Sequence, residues 1–323
     1  MKIGLIDVDG HNFPNLALMK ISAWHKRCGD SVEFAFPMYR YDKVYISKVF
    51  GDEYSQMPPL YVQADEIVYG GTGFAITIEN GKEVYHRGKD EPLPPEIEHI
   101  YPDYTLYPNL TKDTAYGFLS RGCPNNCGFC IVSQKECMRS VKVANLSEFW
   151  DGQKYIKLLD PNLLACKDRK DLLQQLINSG ARVDFTQGLD ARFITEEAAG
   201  LLKDIKIDKV HFAFDYMKNE KAIVKGLQIY KRICKTRENN AIVYMLTNYD
   251  TTIEEDLRRL RLIQECGFLP DVRIYRKPTA PKVLRDLQRW CNNRILYRSC
   301  DFMDFVPRTD GKTIKQLYFG GTK

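Results

Sequence analysis

The stretch Ser120-Arg121-Gly122-Cys123-Pro124-Asn125-Asn126-Cys127-Gly128-Phe129-Cys130 follows directly on a β-rich run at 116–120 and spaces three cysteines as C-x3-C-x2-C. Its Gly, Pro and Asn content suits a loop that wraps tightly. Three thiolates so placed can hold three irons of a cubane iron–sulfur cluster, leaving the fourth iron open to a small chelating molecule. A zinc site or four-cysteine cluster with Cys137 as the fourth ligand is the competing reading. Cys137 lies seven residues on, away from the tight loop, and a lone thiol is more often packing.

Working outward, β-type runs recur at 116–120, 155–159, 183–187, 209–214, 241–247 and 271–275, with helical patterns at 167–179, 195–203, 218–235 and 253–266. Repeated β-α units of this kind build a parallel sheet. Six of them predict a partial (β/α)6 TIM-type barrel, in which the loops after the strands carry the chemistry. Upstream, a strand at 2–8, a helix from Leu16 that stops at Gly29, a strand at 31–36 and short β runs at 43–46 and 66–69 predict a Rossmann-like parallel sheet. Gly70-Gly71 closes the last run, at the sheet edge where ligands of such folds bind. Pro92, Pro94, Pro95, Pro102 and Pro108 break the intervening stretch into a hairpin and linker. The expected class is therefore α/β, divided as 1–78, a linker at 79–112, a barrel at 113–280 and a C-terminal helix and basic tail at 281–323. Thr309 to Lys323 reads as a loosely held tail.

The chain has 323 residues, of which 44% are hydrophobic and 28% charged, which excludes disorder, collagen and coiled coil. No stretch reaches the roughly 18 apolar residues of a membrane span, and the N-terminus turns acidic at Asp7, too soon for a signal peptide. The expected compartment is the cytoplasm, with no membrane partner. Ten cysteines are thinly spread outside 123–137, so the others read as buried thiols. The balance of 47 Lys+Arg against 42 Asp+Glu is too slight to name a partner. Residues 271–298 concentrate Arg273, Arg276, Lys277, Lys282, Arg285, Arg289, Arg294 and Arg298. Tyr275, Trp290 and Tyr297 among them would suit RNA, but Leu284, Leu287 and Trp290 at helical spacing favour a solvated amphipathic helix.

The cysteine segment, with Phe129 immediately before the third cysteine and a strand before the first, resembles the signature of the radical S-adenosylmethionine (SAM) superfamily. The resemblance implies a [4Fe-4S] cluster on Cys123, Cys127 and Cys130, with SAM chelating the unique iron and being cleaved to start radical chemistry. It also implies an electron donor such as flavodoxin or ferredoxin, while the cofactor carries the hard chemistry. SAM contacts are then expected from Phe129 and from the loops after the following strands. Asp160 and Asn162 match the position of the amino-group contact, although the Gly-Gly-Glu of many relatives is replaced by Leu159-Asp160-Pro161-Asn162. Gln187, Asp190 and Arg192 suit ribose hydroxyls or a carboxylate. Asp215 and Asn248 stand at later strand ends. The bland readings are an ion pair for Asp190 and Arg192, a helix cap for Asp215 and packing for Tyr249.

Asp9-Gly10-His11-Asn12-Phe13-Pro14, Ser47-Lys48-Val49 and Gly70-Gly71 resemble the D-x-H-x-x-G, S-x-L and G-G pattern of cobalamin-binding Rossmann domains, with His11 as the matching cobalt ligand. Pro14 departs from the Gly of that pattern, and no fifth β-α unit follows Gly73, so the domain is read as of that ancestry without a requirement for cobalamin. Three functions remain open: a radical SAM enzyme acting on a small molecule, peptide or RNA; an RNA methyl- or methylthiotransferase of the same superfamily; and a non-catalytic or electron-transfer iron–sulfur or zinc protein.

Overall fold

In the computed structural model, which describes residues 1–10, 12–55, 57, 61–80, 82–308 and 311–320, the fold is mixed α/β with parallel sheets. The chain forms two compact units, residues 1–161 with 166–168 and residues 162–165 with 169–323. The stretch 79–112 belongs to the first unit. His11 lies outside the described residues.

The first unit grows from β1 (Lys2–Asp7), whose Ile3 and Leu5 are buried against Leu18 and Ile21 of α1 (Leu16–Arg27). Asn15 starts that helix by accepting the Leu18 N–H at 3.2 Å, and His25, Lys26 and Arg27 suit the negative end of its dipole. Gly29, at φ 84, then turns the chain into β2 (Ser31–Phe34). With β3 (Arg40–Ser47) and β4 (Gln63–Gly70), these strands form a parallel sheet in the order β2-β1-β3-β4. Tyr41, Val44 and Ile46 fill the other face under Met57, Val62 and Phe74, so side chains from connecting segments do there what helices do in a fully wound fold.

The rest of this unit is assembled from short pieces, as its prolines require. A hairpin pairs β5 (Ile76–Glu79) with β6 (Lys82–Tyr85), and the helical turns α2 (Pro95–Glu98) and α3 (Pro108–Thr111) each begin on proline. Strand β7 (Thr114–Gly117) leads to β8 (Ser120–Arg121), the turn α4 (Val132–Lys135), β9 (Val141–Lys142) and β10 (Tyr155–Leu158). β7 and β10 are parallel, and β8 and β9 antiparallel. The run expected at 116–120 is thus two strands. The Leu119 and Ser120 N–H groups go to the Asp160 carboxylate instead of continuing a ladder.

The second unit alternates regularly: α5 (Arg169–Ser179), β11 (Arg182–Phe185), α6 (Glu196–Asp204), β12 (Lys206–Ala213), α7 (Glu220–Ile233), β13 (Ala241–Thr247), α8 (Ile253–Glu265), β14 (Leu269–Ile274), α9 (Lys282–Asn292) and α10 (Arg294–Ser299). The strands pair in parallel in the order β14-β13-β12-β11. Val210, Phe212, Val243, Met245 and Val272 are buried, with Ile223, Leu227, Leu260 and Ile263 buried on the helices. His211, Tyr244 and Asp271, on the opposite strand faces, are half-buried.

Two expectations for the C-terminal region resolve differently. The basic segment is the amphipathic helix, with Leu284, Leu287 and Trp290 buried and Arg285 and Arg289 outward. Several of its guanidinium groups serve the unit's own backbone: Arg289 donates to the Pro307 carbonyl at 3.1 Å and Arg294 to the Pro270 carbonyl at 3.0 Å. The expected loose tail, by contrast, is held where it is described. Ile314 is fully buried, and Tyr318 Oη donates at 2.7 Å to Asp286 of α9, which also receives Arg308 at 3.0 Å. Gly and Lys content suggested looseness, but a few anchored side chains suffice to order a terminus. Among the described residues no helix is long and apolar enough to cross a membrane.

Candidate functional site

The cysteine loop is the mouth of the β8–β9 hairpin. Below it, Asp160, at the end of β10, receives Leu119 N at 3.1 Å, Ser120 N at 2.5 Å and Ser120 Oγ at 2.7 Å. At the entrance, Glu136 receives Gly122 N at 2.5 Å and Arg121 Nη1 at 3.2 Å, and the Arg121 guanidinium lies 3.9 Å over the Phe118 ring. Gly122 itself has φ 85, and a Cβ there would lie 2.1 Å from the Arg139 carbonyl oxygen. Glycine is therefore required at the point where the chain leaves the strand for the loop.

Cys123, Cys127 and Cys130 are half-buried thiols outside any disulfide. Cys130 N donates to Cys127 O at 2.9 Å, closing one turn. Cys137 corrects the sequence reading: it is not remote from the loop, because its carbonyl receives Cys123 N at 3.1 Å. Its Sγ donates at 2.8 Å to the Arg139 carbonyl. Phe129 is half-buried in the same loop. Among the described residues no three His, Cys, Asp or Glu side chains are gathered around a metal position. In donor type and chain spacing, the three thiols fit an iron–sulfur cluster.

Asp160 is 4% exposed, and all three of its donors come from the foot of the loop. Burial pushes its pKa up to about 6, against the lowering effect of Ser120 and the two backbone N–H groups.

In the second unit, Asn162, Asp190 and Arg192 come together. Asn162 Nδ2 donates to Asp190 Oδ2 at 3.1 Å, and Arg192 holds both Asp190 oxygens through Nε at 2.8 Å and Nη2 at 2.7 Å. The Nε–Nη2 edge of the Arg192 guanidinium is thus engaged by Asp190, two residues away. The loop that carries them turns at Gly188, φ 87, where a Cβ would lie 2.7 Å from the His211 carbonyl oxygen. Gln187 is exposed on this turn. Asp215 receives Leu246 N at 3.0 Å, and burial raises its pKa while that bond, Arg259 and Arg192 oppose the rise. Asn248, at φ 63, donates to the Tyr275 carbonyl at 2.7 Å.

Arg259 was missed in the sequence. Fully buried on α8, it donates to the Phe214 and Leu246 carbonyls at 2.6 and 2.8 Å and pairs with Asp256, tying the helix to the ends of β12 and β13. The available signal was a D-x-x-R pair inside an apolar helical stripe with Leu257, Leu260 and Ile263.

At the cobalamin-like pattern, His11 lies outside the described residues and Gly70 has open space where a Cβ would stand. Asn15 Nδ2 donates at 2.8 Å to Ser47, and Asp9 receives Val49 N at 2.5 Å. A Cβ at Gly71 would lie 2.4 Å from Lys48 O and one at Gly73 2.3 Å from Phe50 O. At Gly71, the second glycine of the pattern, the close approach is made by the chain's own backbone. No family model matches the chain, and no curated protein matches it.

Proposed function

We propose that this chain is a radical SAM enzyme that holds a [4Fe-4S] cluster on Cys123, Cys127 and Cys130 and cleaves SAM reductively to start chemistry on a small molecule, peptide or RNA. The reading is supported above all by three half-buried thiols, outside any disulfide, at C-x3-C-x2-C on one loop. When bound, the cluster supplies an electron, received from a donor such as flavodoxin or ferredoxin. The chain's own residues position. Asp160 fixes the backbone at the foot of the loop, and Glu136 fixes the Gly122 amide and Arg121 at its entrance. Asn162, Gln187, Asp190, Arg192, Asp215 and Asn248 remain the candidates for SAM contacts, while Asp160 becomes a positioning residue. The cytoplasm is the proposed compartment.

The nearness of Cys137 favours one second reading, a four-thiolate zinc or iron–sulfur site without an open iron. Anaerobic reconstitution with iron and sulfide, followed by reduction in the presence of SAM, separates the two. The enzyme reading expects about four irons per chain, formation of 5′-deoxyadenosine, loss of both in alanine variants of Cys123, Cys127 or Cys130, and retention of both in Cys137→Ala. Loss of the cluster in Cys137→Ala supports the four-thiolate site. An intact cluster that yields no 5′-deoxyadenosine supports a non-catalytic protein.

A further inference from the structure

Three successive turns after strands of the second unit each contribute a half-buried tyrosine: Tyr216 after β12, Tyr249 after β13 and Tyr275 after β14. Tyr249 stands edge-to-face to both neighbours, with ring centroids 6.4 Å from Tyr216 and 4.8 Å from Tyr275. A cation caps each outer ring, Lys218 Nζ at 4.8 Å from the Tyr216 centroid and the Arg276 guanidinium at 5.5 Å from that of Tyr275. Both cations are exposed, as is Lys277, and Asp250 is the one exposed acid on these turns.

The backbone is unusual here too. Of the four described non-glycine residues with positive φ, Asn248, Asp250 and Arg276 belong to these turns, the fourth being Asn80. Such conformations are disfavoured for side-chain-bearing residues and gather at binding sites, where the surrounding structure imposes them. Aromatic rings flanked by exposed cations are the equipment that binds a base by stacking and its phosphate by charge.

We propose that the Tyr216–Tyr249–Tyr275 cluster, with Lys218 and Arg276, binds a nucleotide, its base against the tyrosines and its phosphate on the cations. The site uses no thiol and stands without the cluster reading. The excess of cations selects for a phosphate-bearing ligand. The site shares Tyr275 and Arg276 with the 271–298 segment that the sequence offered for RNA, but not the other two aromatics of that segment: Trp290 is buried and donates to the Cys300 carbonyl at 3.0 Å, and Tyr297 packs on Trp290.

The test uses the full chain and two probes, a short fluorescein-labelled oligouridylate followed by anisotropy and free uridine monophosphate followed by calorimetry. Binding of the monophosphate identifies a free nucleotide as sufficient; binding of the oligonucleotide alone identifies RNA as the source. In either case Tyr249→Leu is expected to weaken binding about 10-fold or more and Tyr249→Phe to leave it nearly intact, since the ring and not the hydroxyl does the stacking. Lys218→Glu with Arg276→Glu, both exposed positions, should weaken binding and flatten its salt dependence; this pair decides the matter if Tyr249→Leu does not fold. Absence of binding by both probes, or wild-type affinity in the charge-reversed protein, overturns the proposal.

Discussion

Asp160 joins two positions forty residues apart by accepting from Leu119 and Ser120, and it does so as a buried carboxylate. With its folded pKa raised to about 6 above an ordinary carboxylate value, the folded state binds the proton more tightly than the unfolded chain. Its contribution to stability is therefore full below about pH 4 and is lost as pH rises towards 6, by about 3 kcal/mol. Asp160→Asn should remove that slope from urea-unfolding midpoints measured across this range; an unchanged slope would refute the assignment. Gly122→Ala forces a left-handed backbone on alanine and a clash with the Arg139 carbonyl. It should cost about 1–3 kcal/mol in the same assay and lower the iron retained after reconstitution. Of these two residues, Gly122 was legible, because its neighbours spell the loop. The role of Asp160 was not, because a carboxylate at a strand end reads equally as a ligand contact until its partners are known.

The elements follow their sequence signals closely where the hydrophobic period is regular and less closely where polar side chains intervene. β13 and the body of α8 appear where alternation and the Thr252–Glu255 capping box put them. The interior of α8 holds the exception, for Arg259 and Asp256 lie in its buried stripe. Removing one member of a buried ion pair leaves a charge uncompensated, so Arg259→Met should destabilise by about 3–5 kcal/mol, and Asp256→Leu with Arg259→Met by less than the sum of the two single changes. Equal additivity in denaturant unfolding would show that the two residues act independently. On α9, Asp286 gathers Arg308 and Tyr318. Asp286→Ala should release the C-terminal segment, seen as faster amide exchange around Ile314 with little change near β11. Composition could not reveal this anchorage, since it rests on three side chains from separate segments.

Over the whole molecule, acid stability is a balance between groups of opposite sign. Burial, with Lys209 and Arg273 nearby, lowers the His211 pKa against the pull of Asp271. The unfolded chain then binds that proton more readily, and stability from this group rises with pH up to the ordinary histidine value of about 6.5. Asp160 acts in the reverse direction below about pH 6. His211→Phe, which keeps a ring where the imidazole stacks 4.8 Å from Tyr244, should therefore remove a stabilisation that grows as pH rises towards about 6.5, seen as a melting temperature that gains less with pH just below that value than in wild type. The α/β class and the alternation of strands with helices were open to reading because they follow from local periodicity. The tyrosine cluster was not, since each ring comes from a different β-α unit. The backbone around Gly71 and Gly73 bears on redesign: the space a side chain would need there is already filled by the Lys48 and Phe50 carbonyl oxygens, so neither position admits another residue unless that segment moves.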